Sequence, residues 1–144
     1  PNRAANKAKM LQENAELYKQ LKELAATFKK QLAEAKVKHE SIKKEQIGAI
    51  VAQYDKMLAD ETKDYKLCLE TNRDPDAKRA RKLSFQLFKE NLPQQRKNDI
   101  ENKLNSLSFD SETEINGLKA HYSQEKFLLS SKIKENKVNI KITN

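Results

Sequence analysis

A cluster of four cations is the strongest chemical signal in this chain. It lies within the five residues KRARK and comprises Lys78, Arg79, Arg81 and Lys82. Guanidinium and ammonium groups at this density can bind phosphates, and the formal net charge of +8 would steer a polyanion toward them. The same four residues could instead form a solvated helix face or contact an acidic protein. These four residues are therefore the candidate contact with a polyanion or an acidic partner, with a solvated helix face as the alternative.

Other residue types that carry chemistry are few and dispersed. The two histidines, His39 and His121, fall in different halves of the chain, and Cys68 is the only cysteine. The cysteine fits a small buried hydrophobe better than a reactive thiol. The sequence has neither a Gly-rich phosphate loop nor a Cys or His pair at metal-ligand spacing. We predict no enzyme activity, no catalytic residue, no cofactor and no metal site.

The elements that position the basic cluster are predicted to be two long helices. From residue 17 to residue 68, a stripe recurs about every 3.64 residues, close to the period of a straight helix. Its positions are Leu17, Leu21, Leu24, Phe28, Leu32, Ala35, His39, Ile42, Gln46, Ile50, Tyr54, Met57, Glu61, Tyr65 and Cys68. The spacing predicts one outgoing helix over residues 1–72. Helix stability is expected to be weakest near Gly48, because an interior glycine costs roughly 1 kcal/mol relative to alanine.

The segment TNRDPD predicts the point where the chain reverses direction. Asp74 can accept hydrogen bonds from the free N–H groups of a following helix, and Pro75 loses nothing at the first helical position. Asp76 suits the positive end of the helix dipole. A helix therefore restarts at residue 75, with Asn72 in a left-handed or turn conformation before it. Helices joined by so short a loop pack as an antiparallel hairpin.

A bend near residue 73 also predicts which residues face each other. Their numbers should sum to about 146, since the two arms run in opposite directions from the bend. This register places Gly117 near Phe28 and Pro93 near Tyr54.

The returning arm is predicted to be interrupted. Its apolar positions are Leu83, Leu87, optionally Phe88, then Ile100, Leu104, Leu107, Ile115, Leu118, Tyr122, Leu129 and Ile133. Pro93 would remove a hydrogen bond and clash inside a continuous helix, and Ser111 with Glu114 has the spacing of a capping box. These signals predict returning segments over 73–137 with breaks near 93 and 108–110. Val138, Ile140 and Ile142 alternate with polar residues, which predicts a β-strand over 138–144 leading out of the hairpin.

Composition agrees with this architecture. The chain is 37% apolar and 35% charged, and it contains no Trp, two Gly and three Pro. This balance is typical of a coiled coil, while the helical spacing of the apolar residues argues against disorder. No stretch has the roughly 20 apolar residues of a membrane span, and the N-terminal residues lack the apolar core of a signal peptide. The predicted fold is all-α: a long antiparallel coiled-coil-like helical hairpin with an interrupted returning helix and a short C-terminal β-strand.

The stretch LPQQRKNDIENKLNSLSFDSETEINGLKAHYSQEKFLLSSKI resembles the long helical hairpin of S-type pyocins and related nuclease bacteriocins. In that family, short Leu-Pro and Ser-Asp breaks interrupt the returning helix, and β-structure follows the hairpin. The resemblance covers residues 90–144. It implies a spacer between receptor-binding or translocation elements and a C-terminal toxin domain, in a protein that is secreted or released. It carries over no catalytic residue.

Two functions from different classes follow from these observations. The first is a non-enzymatic helical-hairpin spacer or protein-interaction module, expected to be a segment of a larger protein. The second is a basic coiled-coil module that binds nucleic acid or an anionic surface through the KRARK residues. The first is favoured because the missing Trp and scarce exposed aromatics argue against stacking on bases and anchoring at a bilayer. The chain could act as a monomeric hairpin or as an elongated dimer with a straightened bend.

Overall fold

The computed structural model describes residues 2–143 and contains two α-helices. Helix α1 spans Asn2–Thr71 with 70 residues, and helix α2 spans Pro75–Thr143 with 69 residues. The two helices pack against each other as a helical hairpin. The predicted outgoing helix over 1–72 is confirmed except at its ends, because residue 72 lies in the loop and Pro1 lies outside the described residues.

Contacts divide the chain into two compact units. The turn unit comprises His39–Asp110, and the terminal unit combines the described residues of 1–38 and 111–144. In each unit, one stretch of α1 packs on one stretch of α2.

Two short side chains, the amide of Asn72 and the carboxylate of Asp74, shape the loop between the helices. The backbone N–H of Asn72 donates to the carbonyl of Cys68 at 2.9 Å, which completes α1. Oδ1 of Asn72 then accepts from the N–H of Asp74, and Oδ1 of Asp74 accepts from the N–H of Asp76, each at 3.1 Å. The predicted Asp74 cap is thus confirmed. No described residue has a positive φ, so Asn72 makes the turn through its side chain, without a left-handed backbone.

The predicted stripe of α1 is the surface that packs on α2. Every predicted position from Leu17 to Cys68 is buried or half-buried. Ala35 and Tyr54 are the most enclosed, at 5% and 7% exposure. Side chains at helical spacing lie on one face, and burial of that face supplies most of the stability of a long helix.

The packing face of α2 near the turn differs from the prediction. Leu83 and Leu87 are exposed, at 59% and 49%, whereas Phe85 and Leu92 are buried at 9% and 7%. The prediction followed hydropathy alone and assigned no stripe position to Arg81. That residue lies on the packing face because its guanidinium pairs with carboxylates of α1, and Phe85 falls one helical turn after it.

Three cross-helix pairs fix the register. The rings of Phe28 and Tyr122 stack at 4.4 Å between centroids, and those of Tyr65 and Phe85 stack at 4.2 Å. Nδ2 of Asn136 donates to Oδ1 of Asn14 at 2.8 Å, and both side chains are buried. The numbers in each pair sum to about 150, where about 146 was predicted.

The offset has a simple cause in helix geometry. Side chains lean toward the N-terminus of their own helix, which is away from the loop in α1 and toward it in α2. Each of the two contacting residues therefore has a number one or two higher than the residue of its helix whose Cα lies level with the contact. The predicted proximity of Gly117 and Phe28 is wrong, because Phe28 meets Tyr122 and a Cβ built on Gly117 has no neighbour within 4 Å.

The predicted breaks near 93 and 108–110 are wrong, because α2 continues through both. Pro93 lies on an exposed part of the helix, where water can hydrate the Lys89 carbonyl that loses its N–H partner. Its neighbour Leu92 is buried and holds this turn against α1. At the predicted break near 108–110, the capping box would use the carboxylate of Glu114 to cap a new helix. That carboxylate instead pairs with Lys38 of α1 at 2.8 Å.

The predicted strand over 138–144 is also wrong. Residues 138–143 belong to α2, and residue 144 lies outside the described residues. The buried pair of Asn136 with Asn14 and the half-buried Ile140 one turn later continue the packing face into the last turns. A strand needs a neighbouring strand for its backbone hydrogen bonds, and no strand occurs among residues 2–143.

Replacing Gly48 by alanine is expected to stabilise the fold by about 1 kcal/mol, because the substitution lowers the backbone entropy lost on helix formation. Gly48 is exposed inside α1, and a Cβ built on it meets nothing within 4 Å. The urea midpoint should rise with an unchanged m-value. Gly117→Ala is a matched case in α2, also exposed and open, and should give a similar gain. A loss of stability in either variant would contradict the open environment of that position.

Candidate functional site

The four cations of KRARK do not form a single free patch. Arg79 pairs with Asp76, one turn before it on α2. Arg81 turns toward α1, and its side chain is only 15% exposed. Lys78 is half-buried and Lys82 is exposed. The helix that starts at Pro75 therefore spreads the four charges around its first turns, as expected when five consecutive residues span more than one turn.

Arg81 is the centre of the most connected polar cluster in the turn unit. Its Nη2 lies 2.6 Å from Oε1 of Glu61 and 3.0 Å from Oδ2 of Asp64. The guanidinium carbon also lies 5.7 Å from the centroid of the Tyr65 ring. These groups sit on successive turns of α1, so one arginine ties the first turns of α2 to the last turns of α1.

The pairing also stabilises the charged form of Arg81. Hydrogen bonds to Glu61 and then to Asp64 raise the pKa of its guanidinium above an ordinary value at which the group is already charged. Nη1 of the same guanidinium is buried and has no hydrogen-bond partner among the described residues. Arg81 is therefore already paired within the hairpin, and a phosphate could bind it only by competing with the carboxylates of Glu61 and Asp64.

A small cleft lies beside Tyr54 in the turn unit. Its volume is about 250 Å³, below the roughly 300 Å³ at which pockets for small molecules usually begin. Tyr54, Leu58, Leu92 and Pro93 supply apolar walls, and the charged groups are Asp55, Lys89 and Arg96. Tyr54 and Pro93 therefore share a neighbourhood, as predicted. The cleft has the size and polarity to receive one apolar side chain of another protein.

Tyr54 makes the main polar contact behind this cleft. Its hydroxyl donates to Oδ2 of Asp99 across the two helices. The hydrogen bond to Asp99, then burial, and then the negative charge of Asp99 together raise the pKa of Tyr54 above 10.0. The neutral phenol is therefore the form that the fold favours.

The raised pKa of Tyr54 predicts a loss of stability in alkali. The folded-state pKa exceeds the unfolded value of 10.0, so this contribution is complete below pH 10 and disappears as pH rises through the folded pKa. Urea unfolding between about pH 8 and pH 11 should show a steeper decline for the natural chain than for Tyr54→Phe. Lysine titration is common to both proteins and cancels in the comparison. Parallel profiles would contradict a native hydrogen bond to Asp99.

The remaining reactive residue types are not brought together. His39 is half-buried on the packing face of the turn unit, and His121 is exposed in the terminal unit. Cys68 lies on the packing face as predicted, but it is half-buried where a buried side chain was predicted. Among residues 2–143, no group of three or more His, Cys, Asp or Glu side chains is placed to hold a metal ion.

Sequence reasoning missed a set of exposed apolar side chains on α2. The larger ones in the terminal unit are Phe127, Leu128, Val138 and Ile142. They follow the same helical period as the packing face, so periodicity alone does not separate the covered face from the exposed one. The alternation around Val138 and Ile142 predicts a strand, which hides their place on the helix.

The candidate surfaces are therefore polar clusters and exposed helix faces of a hairpin. In the part of the chain that the structure describes, neither helix carries a stretch long and apolar enough to cross a membrane. Comparisons with protein-family models, with curated proteins and with solved structures each found no match.

Proposed function

We propose that this chain is a non-enzymatic helical-hairpin module that acts as a spacer and presents its outer faces to a protein partner. The observation that carries the proposal is the set of cross-helix pairs. In the terminal unit, the two helices are joined by the Phe28–Tyr122 stack and the buried Asn14–Asn136 pair. In the turn unit, they are joined by the Tyr65–Phe85 stack and the Arg81 cluster. Arms fastened in this way keep a constant register, which a spacer requires.

Spin labels can test the spacer role in each unit. In a Cys68→Ala background, Lys29→Cys with Ser123→Cys would report on the terminal unit, and Ala52→Cys with Asn98→Cys on the turn unit; all four labelled positions are exposed. We expect one narrow distance distribution for each pair, because the helices are held by side-chain contacts on the opposite faces. A broad distribution would refute the spacer role.

The same labels separate a monomeric hairpin from an elongated dimer. In a dimer with a straightened bend, the two labels of a pair would sit close together only when they belong to different chains. Mixing singly labelled chains should therefore give no short distance if the hairpin is monomeric. A short distance in that mixture would favour the dimer.

The nucleic-acid alternative has weaker support, because Arg79 and Arg81 already pair with carboxylates. On the resemblance alone, we also propose a bacteriocin-like parent protein in which the hairpin separates a translocation or receptor-binding element from a toxin domain. Sequencing the coding region on both sides of this segment tests that proposal. A parent protein without either kind of neighbouring domain would rule it out.

A further inference from the structure

The exposed apolar residues of α2 in the terminal unit form a second stripe. Phe127, Val138 and Ile142 are 69%, 56% and 77% exposed, while Ile133 and Asn136 on the packing face are 4% and 3% exposed. The steps from 127 to 138 and from 138 to 142 correspond to about three turns and one turn of helix. These three side chains therefore lie on one line, on the side of α2 that faces away from α1.

Short or uncharged side chains occupy all but one of the other positions along this line. Ala120, Gln124 and Ser131 are exposed and follow the same period as Phe127 and Val138. We call residues 120, 124, 127, 131, 134, 138 and 142 the outer stripe. Small residues next to a large anchor leave room for the side chains of a second helix to settle between them.

Positive charge borders the outer stripe and interrupts it once. Lys119, Lys126, Lys137 and Lys141 follow one side of the stripe, Lys134 lies within it, and all five are exposed. Two of these ammonium groups also lie near tyrosine rings: Lys126 is 5.8 Å from the centroid of the half-buried Tyr122, and Lys137 is 5.5 Å from that of the exposed Tyr18. Both lysines remain exposed, so solvent and a partner's carboxylate can reach them.

Negative charge is scarce on the same surface. Between residues 119 and 142 the acidic residues are Glu125 and Glu135. Glu125 is half-buried, and Glu135 is exposed but lies 3.8 Å from Lys132. The surface around the outer stripe is therefore apolar and cationic together.

The charge selects one kind of occupant. A second copy of this chain would bring the same lysines toward each other, which costs free energy. A lipid surface would have to accommodate Lys134 in the middle of a stripe only one residue wide, whereas interfacial helices bury a broad apolar face. A helix with carboxylates beside its own apolar stripe can cover the anchors and pair with the lysines at once.

We propose that the outer stripe of α2 in the terminal unit is the docking site for an acidic amphipathic helix of a partner protein. Phe127, Val138 and Ile142 are the apolar anchors, and the lysines orient the partner through its glutamate or aspartate side chains. This inference rests on the proposed function and specifies the chemistry of the protein partner.

The test uses a fluorescent four-heptad peptide with leucine and isoleucine at its core positions and glutamate at the flanking positions. Fluorescence anisotropy should show saturable binding to the full chain with a Kd below about 100 μM, weaker at high salt. Phe127→Ser and Lys134→Glu should each weaken binding at least about tenfold, because each removes a contact at the centre of the stripe.

Two variants serve as matched controls. Leu83→Ser removes an exposed apolar side chain of α2 in the turn unit, and Lys30→Glu makes the same charge change at an exposed position of α1 in the terminal unit. Both should bind the peptide within about twofold of the natural chain, since exposed positions outside the contact contribute little. Circular dichroism of every variant verifies that helix content is unchanged.

Three outcomes would overturn the inference. One is the absence of binding up to about 500 μM peptide, and another is an equal loss of affinity in the control variants. The third is binding to vesicles containing phosphatidylserine with none to the peptide, which would favour a lipid surface. Narrow spin-label distances without peptide binding would refute this docking site and leave the spacer role intact, whereas broad distances would refute the spacer role itself.

Discussion

Phe85→Ala is expected to lower the free energy of unfolding by about 3 kcal/mol, at the lower end of the range for large aromatic residues in cores. The Phe85 ring is 9% exposed and stacks on Tyr65 with an interplanar angle of 10°. The ammonium of Lys89 lies 4.7 Å from the centroid of the same ring. Truncation removes the stack and leaves the Tyr65 ring without its partner across the two helices. Urea unfolding followed by circular dichroism would measure the change.

Leu83→Ala is the control for this prediction. Leu83 is 59% exposed, so its truncation should change the free energy of unfolding by less than about 0.5 kcal/mol. Hydropathy spacing alone predicts the reverse order, because it places Leu83 on the packing face and ignores Phe85. The two unfolding free energies therefore show which face of α2 is turned toward α1 near the loop. A larger loss in Leu83→Ala than in Phe85→Ala would show that the observed packing face is wrong.

Asn14→Leu is expected to lower the free energy of unfolding by about 2 kcal/mol, because it leaves the buried amide of Asn136 without its partner. Asn14 and Asn136 are 6% and 3% exposed, and one hydrogen bond of 2.8 Å joins them across the packing face of the terminal unit. Water cannot easily replace that bond at such burial. Urea unfolding measures the loss.

The double variant Asn14→Leu with Asn136→Leu should regain the lost stability or exceed it, since two leucines bury more apolar surface at the same positions. The double variant should also lose the specificity of helix pairing, both in register and in choice of partner. A buried amide pair is satisfied in only one register, whereas leucines pack in several registers and with other chains. Sedimentation should then show species heavier than those of the natural chain. A double variant as destabilised as the single one, and sedimenting like the natural chain, would contradict this role of the amide pair.

The long period of α1 and the capping chemistry of the loop could be predicted from local signals. The stripe from Leu17 to Cys68 is regular over many turns, and Asp74 before Pro75 starts a helix by short-range hydrogen bonding alone. Such features depend on residues close in sequence. They therefore predicted the outgoing helix, the start of the returning helix, the reversal and the antiparallel pairing correctly.

Most errors in the prediction fell where a local signal competed with a tertiary contact. Pro93 and the capping-box spacing at Ser111 signal breaks, but α2 continues through both, with Leu92 buried and Glu114 paired with Lys38 of α1. The alternation from Val138 to Ile142 signals a strand, but the Asn136 contact to Asn14 continues the helix into that segment. Local preferences of this kind amount to a few kcal/mol, which tertiary packing readily outweighs.

The candidate sites depended on tertiary structure even more than the fold did. Sequence placed Lys78, Arg79, Arg81 and Lys82 in one cluster, but only the packed hairpin turns Arg81 toward Glu61 and Asp64. The outer stripe became recognisable once Ile133 and Asn136 identified the buried side of α2. The periodicity of the sequence by itself determined which residues share a face of each helix. Contacts between residues far apart in the chain decided which face is covered and which charges remain available to a partner. The reason is that burial is a property of the assembled pair of helices.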